Sequence, residues 1–357
     1  MTAPRRALPL LTDLPPAPAS PHSGTPARHP GSVRRTGHWN MTWPDGLAGG
    51  MQIDAAARDL VTRADGGSDS PDEARPDEAR PDEAQLHVRV DGTRVLRSLE
   101  STPERAELQQ LLGGGGGSGY RHRLQGLIPD EMAAGTLTYF LLDDMPGVTL
   151  VGPFAWRLWP EAQEMYAARR HRGPGYDMTG ICSGFRPDGF PVKRIMGGED
   201  PQHNLVPAFE LAEPGDPLAW HEIAGPPGDA PMLRRRRRVD VVDGPQIRVD
   251  SLFRDSMWSP DGVETVVHEY GVHAVVDRAT MRLTSITADP RVLPFPTCPA
   301  AAANVDLLTG EPMATLRHRV LELVIGTDGC THLNDALRAL AEVPIVVERL
   351  DRAQNLG

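Results

Sequence analysis

Cysteine is scarce in this 357-residue chain. Three thiols, an odd number, exclude a disulfide framework and leave packing, metal-ligand or redox roles in a reduced setting. No apolar run approaches ~20 residues, so no membrane-spanning helix is expected. An excess of positive charge is missing too. Thirty-seven basic side chains face 48 acidic ones, a net charge of −11, which disfavours nucleic acid and anionic membranes as partners. The opening stretch MTAPRRALPLLTDLPPAPAS has basic residues and a short apolar piece, but Asp13 and the prolines interrupt it before a signal-peptide core is complete. A cytoplasmic location is therefore expected. There is no GxGxxG fingerprint, GxxxxGK[ST] loop, GxSxG elbow or HExxH helix.

Glycine (36) and proline (35) are plentiful, together about a fifth of the chain, so tails and loops dilute the folded part. The length exceeds the usual ~100–200 residues per domain and favours two domains or one unit used twice. Residues 1–32 are rich in Pro, Ala and Ser and read as a disordered tail. Within an N-terminal lobe (33–145), a low-complexity insertion at 65–85 repeats PDEAR PDEAR PDEAQ, whose prolines forbid a continuous helix. GGGGGSG (113–119) reads as a flexible connector. Residues 146–230 read as an irregular bridge or insertion with one hairpin, ICSGFRPDGFPV (181–192), and 231–357 as a C-terminal lobe.

The two lobes resemble each other. VRRTGHWNMTWPDG (33–46) can be set against LRRRRRVDVVDG (233–244), Arg58-Asp59 against Arg254-Asp255, and GYRHRLQGLI (119–128) against LRHRVLELVI (316–325). In the second copy, alternating apolar residues predict an antiparallel meander with breaks at Asp243-Gly244, Pro260-Asp261-Gly262 and Asp277-Arg278. Three helices should follow, opened by Pro299, by Pro312 and by a capping Thr331. Each half is thus sheet first and helices after, an α+β unit used twice, with a degenerate first copy.

Parity along Val266–Val276 puts His268 on the inward face with Val266, Tyr270 and Val272, and His273 on the other face with Glu269. A buried neutral imidazole needs partners for both nitrogens, so His268 reads as a hydrogen-bonded core residue or a metal ligand. Cys298 and Cys330 each stand at the start of an expected helix, where free N–H groups favour thiolate, although small buried thiols also serve as packing. Cys182 has no such setting. His332, two residues after Cys330, is a further ligand candidate, while Asp335 orients a ligand or favours its helix start. The run Arg234–Arg238 reads as a strand alternating arginines across two faces and pairing with Asp240, Asp243, Asp250 and Asp255.

FRDSMWSPDGVETVVHEY, PRVLPFPTCPAA and GTDGCTHLNDALRALAEV resemble the bacterial family called domain of unknown function 2889. More distantly, the order of ligand-type residue, strand pair and two helix-opening cysteines is similar to the NifU/IscU/SufU iron–sulfur scaffold family. That resemblance implies an α+β fold on which three thiols, helped by an aspartate or histidine, hold zinc or a nascent cluster. His268 would take the place of the first thiol, Cys298 the second and Cys330 the third, with Tyr270 where the family has an aspartate. The N-terminal copy, with Asp82 or its neighbours opposite His268 and no cysteine, would be a site-less half of an intramolecular pseudo-dimer.

The leading expectation is a cytosolic protein that binds zinc or iron through His268, Cys298 and Cys330. His332, water or substrate would complete the shell, and an open position would suit a hydrolase or lyase. The alternatives are a non-catalytic iron–sulfur or persulfide scaffold and a partner-binding protein with structural cysteines. Neither the small-molecule substrate nor the partner protein is specified by the residues.

Overall fold

The computed structural model describes residues 20–64, 83–161, 178–197 and 203–355, apart from 214, 227 and 229. The expected tail up to residue 19 and the low-complexity repeat at 65–82 lie outside them. Alternation of apolar and polar residues produces two antiparallel meanders. The first comprises β1 (Ser32–Thr42), β2 (Met51–Thr62), β3 (Glu83–Val90) and β4 (Leu96–Thr102). The second comprises β6 (Met232–Val242), β7 (Gln246–Trp258), β8 (Glu264–Asp277) and β9 (Arg282–Val292), with breaks where the turn residues predict them. β1 and β6 pair antiparallel, with Gly37 opposite Arg237, so the expected lobes share one nine-stranded sheet. The short β5 (Val206–Pro207) pairs with the start of β8.

Helices follow each meander, which makes the fold α+β. After β4 come α1 (Tyr120–Leu127), α2 (Pro129–Ala133), α3 (Leu137–Asp143) and α4 (Met145–Val151). After β9 come a 3-10 segment (Cys298–Leu308), α6 (Met313–Leu323), α7 (Thr331–Ala339) and α8 (Val343–Asn355), with α5 (Phe190–Met196) in the connection. Pro299 opens the 3-10 segment rather than an α-helix, and Cys330, not Thr331, holds the N-cap position of α7. The predicted hairpin at 181–192 is instead a run of turns leading into α5. The glycine run is no free connector: Gly113 and Gly114 exchange backbone hydrogen bonds with Leu96, and Gly116 donates to Arg94. No helix among the described residues is long and apolar enough to cross a membrane.

Odd-numbered residues of β1 face the helices: Trp39 donates its indole N–H to the Leu141 carbonyl, and Gly37 lies under Phe140. Even-numbered residues face the other way, where two stretches of coil cover the sheet. Residues 20–31, the end of the expected tail, are held there by Thr25 Oγ1 donating to Leu211 O and by Arg254 donating to His22 O. Residues 205–213 and 215–224 run beside them, and Arg58 donates to Leu218 O.

The helix side holds two apolar clusters, one under each meander's helices, and between them lies a buried layer of charge. Arg35 grips Asp59 with two hydrogen bonds of 2.7 Å, and Arg235 grips Asp255 at 2.8 and 3.1 Å, at corresponding places in the two meanders. Arg35 also reaches Glu342, and Arg237 donates to Asp144 (2.6 Å) and the Asp335 carbonyl. Arg317 and Arg338 converge on Asp143, and Arg121 binds Asp335. The expected alternation of Arg234–Arg238 across both faces is present. Arg235 and Arg238 bind aspartates of that set, whereas Arg234 donates to Asn40 and Arg237 to Asp144. Lys193 is the chain's one lysine, so this layer is built from guanidinium forks that match carboxylates two bonds at a time.

A Cβ on Gly147 would lie 2.2 Å from Asp335 Oδ2 and 2.6 Å from Arg235 Nη1. Gly147→Ala is therefore expected to lower stability by about 2–4 kcal/mol, read from urea midpoints, because it separates a buried ion pair. Acid should act on the same layer. Burial alone would raise the pKa values of Asp143 and Asp59, but Arg317, Arg338 and Arg121 hold the first, and Arg35 and Arg349 the second, below the ordinary 3.8. A depressed folded-state pKa contributes stability above the unfolded value and loses it as pH falls. The urea midpoint should thus be flat from about pH 7 to 5 and drop steeply below about pH 4.

Candidate metal centre

The centre forms where β7 and β8 meet the start of α7. Asp255 of β7 pairs with His268 of β8, and the next pair is Ser256 with Val266, so Val267 is an extra residue in a β-bulge. A bulge re-aims the side chains around it. His268 shares the helix-side face with Tyr270 and Val272 as parity predicts, but at the bulge Val267, rather than Val266, joins the helix-side core. From above, the first turn of α7 lowers His332 onto His268, the rings stacked with centroids 3.7 Å apart, and its edge meets Phe253.

Among the described residues, the ligand atoms of Asp255, His268 and His332 lie within 4.8 Å of one another. His268 Nδ1 is 3.4 Å and His332 Nε2 3.8 Å from Asp255 Oδ2. Among the described residues, both nitrogens are buried and neither has a hydrogen-bond partner. Burial works against ionising Asp255, yet Arg235 and His268 hold its carboxyl well below the usual range. Burial first, then His268 and Arg235, keep His332 neutral against the pull of Asp255. The result is a carboxylate facing two ring nitrogens that accept or donate no hydrogen bond among the described residues.

The remaining candidates are placed around this point. Cys330 Sγ lies 3.9 Å from His332 Nδ1, on the side of the ring away from Asp255, where a proton on Nδ1 would leave the Nε2 lone pair facing the carboxylate. Cys298 does not converge with His268 and Cys330: its sulfur packs against Gly184, where a Cβ would be 2.8 Å from Cys298 Sγ and 3.5 Å from Cys182 Sγ. All three thiols are electrostatic neighbours of the buried Tyr270 hydroxyl. Asp335 orients no ligand directly, since it accepts from Arg121 and Arg235. The sequence presents Asp255 only as an arginine partner, and it is that as well. The signal for its second role was its place opposite His268 across the Pro260-Asp261-Gly262 turn.

Residues 233–346 match the family model described as protein of unknown function (DUF2889). The DUF2889 match covers β6 to the start of α8 and contains Asp255, His268, Cys298, Cys330 and His332, whereas Cys182 and Asp144 lie outside it. No curated protein matches the chain, and no solved structure does. The distant similarity to the NifU/IscU/SufU family has no counterpart in these comparisons.

The expected thiolates at helix starts are not what the surroundings favour. Burial pushes the Cys298 and Cys330 thiols up, and Cys182 up to about 12. At about pH 8 the native protein's thiols are expected to react with a disulfide reagent at least 100-fold more slowly, in order of magnitude, than after denaturation in urea. Rapid labelling of any one of them in the folded protein contradicts this assignment.

Proposed function

We propose that this chain is a metal-binding protein whose ion sits among Asp255, His268 and His332. The reading rests on one observation: two buried imidazole nitrogens, without hydrogen-bond partners among the described residues, face the same carboxylate oxygen. Buried polar groups left unsatisfied cost roughly 1–3 kcal/mol each, and a cation at their focus removes that cost. Two imidazoles with one carboxylate suit iron(II) or zinc, and three protein ligands leave a position for water or substrate, as a hydrolase or lyase would need. Arg235 on Asp255 and Cys330 on His332 would be the outer groups that fix ligand orientation.

In the N-terminal half, Asp59 has the same fork from Arg35, but Arg349 donates to it at 2.5 Å. A guanidinium where the other half has imidazoles supports one site per chain in a unit used twice. A cytoplasmic setting is in keeping with three free cysteines. The alternative, an iron–sulfur or persulfide scaffold, draws on the gathering of three thiols around Tyr270. Colour after anaerobic reconstitution, lost in Cys298→Ala, would favour that alternative.

Protein expressed with zinc or iron(II) should carry about one equivalent of metal by elemental analysis, falling below about 0.1 in His268→Gln and His332→Gln and retained in Cys298→Ala. Metal-free wild type after supplementation, or full retention in both histidine variants, overturns the proposal.

A further inference from the structure

The turns at residues 178–188 lie over the start of the 3-10 segment and over the loop that leads into α7. They fold on themselves: Gly180 donates its N–H to Phe185 O, and Phe185 donates to Cys182 O. Their ties to those two elements are chiefly polar. Ser183 N–H donates to Gly329 O (2.8 Å), Ser183 Oγ donates to Cys298 O (3.1 Å), and Gly184 O accepts from Thr297 Oγ1 (3.0 Å). Phe185 adds an edge-on contact with Phe295.

Little apolar surface secures these turns, since only Ser183 and Gly184 among them are buried. What they cover lies deeper, for Cys298 and Cys330 are both buried. Gly184 sits so close to Cys298 that a Cβ there would come within 2.8 Å of its sulfur, and Cys182 is an electrostatic neighbour of Cys330. Gly329, which accepts from Ser183, precedes Cys330, the N-cap of α7, and the first turn of α7 carries His332. Asn304 holds the same loop from the 3-10 segment by donating to Asp328 O (2.8 Å). A segment tied down by a few hydrogen bonds and little buried apolar area opens locally at a fraction of the cost of global unfolding.

We propose that residues 178–188 are a latch that opens as a unit while the sheet and helices stay folded, exposing Cys298 and Cys330 together and releasing the first turn of α7. Because that turn carries His332, opening the latch also sets how quickly a metal ion leaves. This last consequence rests on the metal centre proposed above, whereas exposure of the thiols does not. Burial keeps both thiols unreactive in the closed protein, so their modification reports each opening.

The test labels the full chain with a disulfide reagent at about pH 8 and reads each cysteine by mass spectrometry. Cys298 and Cys330 should react at rates within about threefold of each other, and urea below the unfolding transition should change those rates little, because a small opening exposes little surface. Ser183→Ala, which removes one tie, should speed both reactions about threefold or more, and Gly184→Ala, which pushes the turn off the Cys298 sulfur, about tenfold or more. Val88→Ala, a buried change in the N-terminal meander, should lower the urea midpoint and leave the labelling rates in water alone. Zinc release from loaded protein to a chelator should quicken in Gly184→Ala by about the same factor as labelling. Unchanged labelling in both latch variants, a steep rise with urea from the lowest concentrations, or labelling that quickens in Val88→Ala as much as in Gly184→Ala overturns the latch. Faster labelling with unchanged zinc release overturns its link to His332. A chain that takes up no zinc sinks the metal centre alone, and the labelling rates still decide the latch.

Discussion

The structure depends on how a layer of arginines and carboxylates survives without water. Removing each charge from solvent costs several kcal/mol, recovered only when opposite charges meet in good hydrogen-bond geometry. Arg35, Arg235, Arg237, Arg317 and Arg338 meet that condition by binding carboxylates or carbonyls from other elements. The partners come from across the molecule: Arg35 on β1 reaches Glu342 near the C-terminus, and Arg235 on β6 lies 3.5 Å from Asp144 between α3 and α4. Apolar packing crosses the seam at Leu233, Met257 and Val267 on one side and at Val33 and Val61 on the other, and the charges tie the two helical sets to the shared sheet at the same boundary. Lysine could not substitute, since an ammonium offers no planar fork.

The candidate metal centre grows from the edge of this layer. Asp255 is tied by Arg235 into the charge network and turned by the sheet register toward His268. The same guanidinium that keeps the carboxylate ionised also fixes its plane, so the oxygen facing the histidines has little freedom. α7 contributes on both sides: His332 from its first turn stacks on His268, while Asp335 one turn later accepts from Arg121 and Arg235. Displacing α7 would therefore disturb charge layer and histidine pair together.

Strand spans, turn positions and the inward face of His268 could be read from alternation and turn residues, because those signals are local. The convergence of Asp255 with His268 depends on a bulge at Val267, which no alternation pattern marks. The grouping of Cys182 with Cys298 needs a turn from the connecting segment to fold back over the 3-10 helix, a long-range contact. Thiol acidity turns on the relative size of two opposing effects. A helix terminus supplies about 0.3–1 kcal/mol toward the charged form, whereas burial of the thiol opposes it by more. Residues 20–31 read as too poor in apolar content to order, yet His22 and Thr25 are fixed by hydrogen bonds to the sheet and its covering coil rather than by burial of apolar surface.

The antiparallel seam between β1 and β6 also governs autonomy. Each apolar cluster already draws residues from both meanders, and a chain cut between them would also leave arginines whose acceptors lie on the missing piece: Arg35 would lack Glu342, and Arg237 would lack Asp144. Neither piece could leave those cations dry. The two meanders thus depend on one another, and either can vary in chemistry only so far as their shared ionic boundary still closes.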